Sequence, residues 1–348
     1  MVIVGHQIQY STGSDAFFDD PVYKLIYSFH MPLFMFVSGY FYFNSVNKHS
    51  SLTIIKNKAI QLILPIITFT ITCYLLSNIY SFGSLLENGP KNILNLITGN
   101  FPKKRLFLLF LNNLWFLWIV FYLSCLTIVI RRYLKDSILV YILLFLSLFF
   151  CPDSFIRNTF CFMYPYFVTG YLMNKYNLFK SVFYSNKPII DYSIIILFFI
   201  LLLFYNKNTY IYTTGYCIIG KQNQLYYDMH RLLIGFCGIY TILWSLLKIK
   251  DYKLNTHSFI RDGVLYLGKN TKQLYIITTS TIFINILNLF ATGEVNYLKS
   301  LIATIIIIIV SILIIEFIKR FKILNLIIFG QWTLNKHTPL KKETNAII

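Results

Sequence analysis

Few residues in this chain can carry chemistry, and they stand out because their surroundings are apolar. His6 closes a short apolar stretch in Val4-Gly5-His6, and His30 lies inside a longer one, Phe29-His30-Met31-Pro32-Leu33-Phe34. Histidine exchanges a proton near neutral pH and is the commonest general base. An ionisable group inside a membrane is expensive, which makes each imidazole a functional candidate. The competing reading is that each only hydrogen-bonds a neighbouring helix. Asn112-Asn113-Leu114-Trp115-Phe116-Leu117-Trp118 puts two amides and two indoles in one apolar helix. Trp commonly anchors at the membrane interface, whereas paired Asn in a span needs polar partners. Asp228-Met229-His230-Arg231 is expected to open a helix. It reads either as a solvated helix start, with Asp228 favoured by the helix dipole, or as a substrate contact. Ser38-Gly39-Tyr40 reads as a place where helix backbones approach closely. HExxH, HxxEH, GxSxG and P-loop patterns are absent from the sequence, so metal and nucleotide-hydrolysis chemistry lack support. The six cysteines form no CxxC pair and read as small buried apolar side chains.

The elements that position these residues follow from composition. Of 348 residues, 57% are hydrophobic and 13% charged, against about 45–50% and about 25% in soluble domains. That excludes a water-soluble single-core enzyme, a disordered chain and a fibre. Continuous apolar runs recur, and about 20 such residues span a bilayer core. Their continuity disfavours a β-barrel. The fold class is therefore all-α, a polytopic membrane protein with about ten transmembrane helices. Those helices are expected at 1–10, 25–43, 59–80, 106–130, 138–151, 158–174, 189–205, 228–247, 273–293 and 299–318. Pro65 is tolerable within its span. The first segment is too short to cross a bilayer and reads as the tail of a helix truncated at its N-terminus; without a basic n-region it is not a signal peptide.

The formal net charge is +18, from 31 Lys+Arg and 13 Asp+Glu. The basic residues fall in loops 48–58, 131–137, 175–188 and 248–272 and after 318, while 11–24, 152–157, 206–227 and 294–298 are acidic or nearly neutral. This is the positive-inside pattern, with Lys103-Lys104-Arg105 as the one exception. It makes the C-terminus cytoplasmic and accounts for the charge with membrane topology and no nucleic acid. Segment 264–272 reads as a cytoplasmic re-entry. The expected domains are a transmembrane unit at 1–325 and a cytoplasmic tail at 326–348.

Several strings, in order, resemble the integral-membrane acyltransferase 3 family, in particular fucose-4-O-acetylase-like sugar O-acetyltransferases. They are Val4-Gly5-His6; Ser28 to Tyr40; Lys58 to Pro65; Leu114-Trp115-Phe116-Leu117; Phe167-Val168-Thr169-Gly170-Tyr171; and Leu267-Gly268-Lys269-Asn270-Thr271 with Tyr275. The resemblance implies about ten transmembrane helices in a bacterial inner membrane. It also implies transfer of an acyl group, acetyl from acetyl-CoA, to a hydroxyl of a surface polysaccharide or lipid-linked sugar. Acyl-CoA is then a donor substrate, with no bound cofactor and no metal, and membrane lipids are partners. His6 becomes the base or acyl-handling residue and His30 lines the same cavity. Asn113 and Trp115 orient donor or acceptor, and Arg231 contacts an acidic sugar or a lipid carrier's diphosphate. The chain departs from the family twice. An Arg that usually lies 11 positions before the first His falls outside this sequence, and Thr278 stands where many members carry His. Two other readings stay open: a transporter or flippase for lipid-linked sugars without chemistry, and an inactive truncated acyltransferase homologue.

Overall fold

A computed structural model describes residues 2–12, 15–72, 114–151, 155–184, 187–210, 216, 222–251, 258–279 and 296–331. Among these residues every regular element is a helix and none is a strand. The helices are α1 (Val2–Thr12), α2 (Pro21–Lys48), α3 (Ser51–Thr72), α4 (Trp115–Tyr133), α5 (Ile138–Ser147), α6 (Phe155–Lys175) and α7 (Leu178–Phe183). They continue as α8 (Pro188–Leu203), α9 (Gln222–Asp251), α10 (Ser258–Lys269), α11 (Thr271–Thr278), α12 (Tyr297–Lys319) and α13 (Lys322–Phe329).

The count of ten spans is not confirmed by the described residues. Among the described residues four helices are long and apolar enough to cross a membrane: α3, α4, the Gln224–Ile249 part of α9, and α12. α5 and α8 are apolar but shorter. α2 and α6 have 28 and 21 residues, but Tyr, Ser, His and Asn interrupt their apolar runs. α2 begins at Pro21 and α3 at Ser51. The expected basic loop 48–58 is thus mostly the first turns of α3, because Ser50 caps the helix by accepting from the Thr53 N–H. Expected loop 264–272 is largely helical too, and α13 runs across the expected boundary after residue 325. Lys103, Lys104, Arg105 and Asn112-Asn113 lie outside the described residues, as do 280–293 of the ninth expected span and 332–348 of the tail.

Local chemistry sets the helix ends. Asp20 accepts from the Tyr23 N–H at 2.8 Å, and Pro21 occupies the first helical position. The other Asp20 oxygen accepts from the Tyr297 hydroxyl at 2.5 Å, which ties the start of α12 to the start of α2. Gly330 (φ 62°) ends α13 in the left-handed conformation.

α2 and α6 form the centre of the bundle, and α1, α4 and α9 also pack on α2. A Cβ on Gly39 would sit 2.0 Å from the Phe167 carbonyl oxygen, and one on Gly170 would sit 2.0 Å from the Phe36 carbonyl oxygen. The two helices touch backbone to backbone through reciprocal glycines, as expected of Ser38-Gly39-Tyr40. Asn174 donates to the Tyr40 carbonyl at 2.6 Å, and Tyr42 donates to the Ser124 carbonyl at 2.8 Å, which fixes α6 and α4 on α2. Outside this centre, α8 and α12 turn apolar side chains such as Ile189, Leu203, Leu298 and Leu313 outward. A surface of that kind requires an apolar solvent.

Polar contacts sort the connections into two ends. At the end where α2 starts, Lys207 pairs with Asp15, Tyr297 with Asp20, and Arg157 with the Tyr216 carbonyl. At the end where α2 finishes, Lys175 pairs with Asp136, Lys272 donates to the Gln61 and Phe329 carbonyls, and Tyr266 donates to Glu316. Each contact joins segments that the charge pattern assigns to one side.

Candidate active site

α1 is brought against the first half of α2 by Gly5: a Cβ there would lie 2.6 Å from the Tyr27 ring. The close approach sets the next residue, His6, on Tyr27. His6 Nδ1 is 3.2 Å from the Tyr27 hydroxyl and 3.4 Å from Gln9 Oε1, and the same hydroxyl reaches Gln9 Oε1 at 3.5 Å. An amide oxygen only accepts. One arrangement satisfies all three contacts: Tyr27 donates to Gln9, His6 Nδ1 donates to the two oxygens, and the basic lone pair of His6 then falls on Nε2.

His30 follows Tyr27 by three residues and is buried. Its Nδ1 donates to the Ile26 carbonyl at 2.8 Å, so its acceptor atom is likewise Nε2. The Tyr27 ring meets His30 edge-on at 4.7 Å and His6 edge-on at 6.2 Å. It stands between the two imidazoles and stacks on Tyr23 at 4.0 Å. Tyr210 closes over Tyr27 at 5.8 Å and meets Phe18 at 5.1 Å. Phe18 also lines a surface depression of about 430 Å³ with Asp15, Asp19 and Lys207. The cluster is thus covered by aromatic rings at the end of the bundle where α2 starts.

Arg231 approaches the cluster from α9 through Thr209, whose chain neighbour Tyr210 meets the Tyr27 ring. Arg231 is 3% exposed. One guanidinium nitrogen, Nη1, donates to the Thr209 carbonyl at 2.5 Å, and the group lies 3.8 Å over the Phe162 ring. The structure therefore gathers His6, His30 and Arg231 in one place.

Two sequence expectations change here. α9 starts at Gln222, so Asp228 to Arg231 lie beyond its first turn rather than opening it. Asp228 is fully buried and accepts from the Tyr216 N–H at 2.6 Å, so the solvated-start reading fails. Trp115 begins α4, buried, with ring contacts that run through Phe116 to Tyr275 of α11. Asn113 lies outside the described residues. Thr278 donates to the Leu274 carbonyl of its own helix at 2.8 Å, so its hydroxyl closes a helix turn.

Sequence reasoning missed Gln9, Tyr23 and Tyr27. The signal was present: Gln9 follows His6 by three, and Tyr23, Tyr27 and His30 fall at i, i+4 and i+7, one helix face. It also missed a half-buried lysine at the opposite end. Lys272 donates to the Phe329 carbonyl at 2.7 Å and the Gln61 carbonyl at 3.2 Å. Burial, with the Lys58 charge next, brings its pKa down to about 8.

The helical bundle thus holds two imidazoles, phenols and a guanidinium, groups whose chemistry suits proton transfer, close together among apolar side chains. Residues 1–316 match the acyltransferase domain family, acyltransferase 3, and the chain belongs to that family. It is an acyltransferase, as the ordered strings imply. Nodulation protein NolL of Mesorhizobium japonicum is 26% identical over 301 residues, covering 85% of this chain and 76% of that protein. Nodulation protein NolL of Sinorhizobium fredii is 36% identical over 69 residues, 19% of each chain. No solved structure matches.

Proposed function

We propose that this protein moves an acetyl group from acetyl-CoA to a hydroxyl of a surface polysaccharide or lipid-linked sugar, as a sugar O-acetyltransferase. The observation that carries this reading is the buried His6–Tyr27–His30 cluster between α1 and α2. His6 Nε2 takes the proton from the acceptor hydroxyl, and its oxygen attacks the thioester carbonyl carbon. The carbonyl oxygen becomes an oxyanion, the C–S bond breaks, and the proton passes to the CoA thiolate. Gln9 and Tyr27 hold the imidazole in the required tautomer, and His30 lines the same cavity. Asn113 and Trp115 orient a substrate, and Arg231 faces the acceptor. Acetyl-CoA is a donor substrate and no cofactor stays bound.

The positive-inside rule supports placing the lysine-rich end, with Lys175 and Lys272, in the cytoplasm. The protein then sits in a bacterial inner membrane as a multi-pass chain, with lipids around it and its tail, 326–348, on the cytoplasmic side. The donor enters from that side, and the aromatic cluster lies toward the other. The +18 charge serves topology rather than nucleic acid.

The test uses a strain lacking the gene and complemented with His6→Ala or His6→Gln. Base-labile acetyl on the surface polysaccharide is expected to fall by about 10²–10⁴-fold, the usual worth of a positioned base. Wild-type acetyl levels would remove the assignment.

A further inference from the structure

The Arg231 charge is buried without a counter-ion. Among the described residues no carboxylate lies within ion-pair distance of it, and its Nε has no hydrogen-bond partner. Taking a charge out of water without pairing it is among the costliest arrangements a fold can hold. Two phenols sit beside the same stretch of α9: Tyr216 before α9, whose N–H goes to Asp228 three residues ahead of Arg231, and Tyr205 after α8, which shares a buried cluster with Ile234 three residues beyond it. Both are at most 1% exposed, and both hydroxyls lack a partner among the described residues. Three buried donors in one region, one of them cationic, are all left wanting an acceptor.

Tyr216 supplies a separate observation. Its φ is 47°, a left-handed conformation that is an outlier for a bulky aromatic residue. The backbone is held there from both sides: Asp228 accepts its N–H at 2.6 Å, and Arg157 donates to its carbonyl at 3.1 Å. Phe145 and Phe149 pack on its ring, each at 5.6 Å. Four residues thus hold a strained backbone in place, and the hydroxyl it carries has no partner among the described residues. Strain that the surroundings enforce in this way is characteristic of ligand clamps.

We propose that Arg231, Tyr205 and Tyr216 form an oxyanion-binding subsite, filled by a phosphate or carboxylate group of the acceptor. A guanidinium suits both, because its planar array of N–H groups matches their paired oxygens, and phenol donors complete the shell. The Phe162 ring behind the guanidinium keeps its plane fixed. This deepens the acceptor side of the proposed function and rests on that reading for the word acceptor, whereas anion binding itself does not.

The experiment uses the purified full chain in nanodiscs. Binding is read by titration calorimetry with three probes: inorganic pyrophosphate, a polyprenyl-diphosphate-linked sugar, and a glucuronate-containing oligosaccharide. Wild-type protein is expected to bind pyrophosphate and one of the other two, which identifies the source of the anion. Arg231→Gln is expected to weaken that binding by about ten-fold or more, and Tyr205→Phe and Tyr216→Phe by about three-fold each. Arg231→Lys restores part of the loss. In the transfer assay the loss falls on the acceptor KM and leaves the acetyl-CoA KM unchanged. Anion binding that needs Arg231 but comes without acetyl transfer sinks the proposed function and keeps the subsite. Acetyl transfer with anion affinities identical in wild type and Arg231→Gln overturns the subsite. Should Arg231→Gln fail to fold, the Tyr205→Phe/Tyr216→Phe double variant gives the same reading, and unchanged affinity there overturns it equally.

Discussion

Two cations, Lys175 half-buried and Arg231 fully buried, are handled in opposite ways at the two ends of this bundle. Lys175 lies 2.9 Å from Asp136, whose two oxygens also accept from Tyr141 at 2.8 Å and Tyr171 at 2.9 Å. Lys175 reaches the Asp136 carbonyl as well, at 2.5 Å. Lys135 and Asp136 both take φ 53°, and this tight turn aims the carboxylate back at α6. Every strong donor there meets an acceptor. Arg231 has a carbonyl, an aromatic face and no carboxylate among the described residues. A satisfied cluster locks helices together, whereas an unsatisfied one waits for something that arrives later. Burial alone therefore does not separate structure from function; the balance of donors and acceptors does.

The largest effect expected from breaking this contrast is on chemistry. His6→Ala removes the proposed base, and turnover is expected to fall by the hundred-fold or more stated above while the detergent-solubilised protein melts as wild type does.

Next is Asp136→Asn, which leaves Lys175 without its counter-ion. Part of Lys175 is exposed, so the cost is about 2 kcal/mol, below that of a fully buried pair. It is read as a lower melting midpoint, with activity per folded molecule retained. Burial pulls the Asp136 pKa up, but hydrogen bonds from Lys175, Tyr141 and Tyr171 outweigh it and hold the carboxyl below its ordinary value. Its contribution is then fully present above the ordinary carboxylate range and fades as pH falls through the lowered value. Melting curves of wild type and Asp136→Asn should converge only in strong acid; convergence near neutral pH would refute the pairing.

Gly39→Ala forces a methyl group onto the Phe167 carbonyl and should destabilise by about 1–3 kcal/mol, again seen in melting rather than in KM. Tyr27→Phe deletes one hydroxyl beside His6 and should lower turnover about ten-fold, the worth of one hydrogen bond in a buried site. Thr278→Val comes last. The Thr278 hydroxyl bonds only carbonyls of its own helix, so both stability and turnover should stay within about 0.5 kcal/mol of wild type.

Much of this was legible in the residue order. Apolar runs placed most helices, the loops sorted correctly by end, and His6, His30 and Arg231 do converge. What escaped had physical causes. Helix ends were misplaced where a cap, Ser50 or Asp20, starts a helix before its apolar run begins. α2 and α6 look less like spans than α12 because they face one another and the cluster, so their polar side chains meet protein instead of lipid. The phenols of the cluster went unnoticed among 27 tyrosines, since only packing distinguishes Tyr27, on an imidazole, from Tyr192, exposed to lipid. Asp228 was misjudged because its partner is a backbone N–H twelve residues away, and composition carries no trace of such a bond.

The reciprocal glycine contact has a consequence in time. Gly39 and Gly170 are about 130 residues apart, and a ribosome working at roughly 5–20 residues per second needs on the order of ten seconds to cover that distance. During that interval α2 is already made while the groove that fits it does not yet exist. A helix carrying His30, Ser28 and several tyrosines is poorly suited to wait alone in hydrocarbon. Its early partner has to be α1, already synthesised, whose Gly5 surface fits Tyr27. The contact between α1 and α2 is thus available well before α6 is made, and the proposed reacting pair can assemble before the scaffold that will hold it.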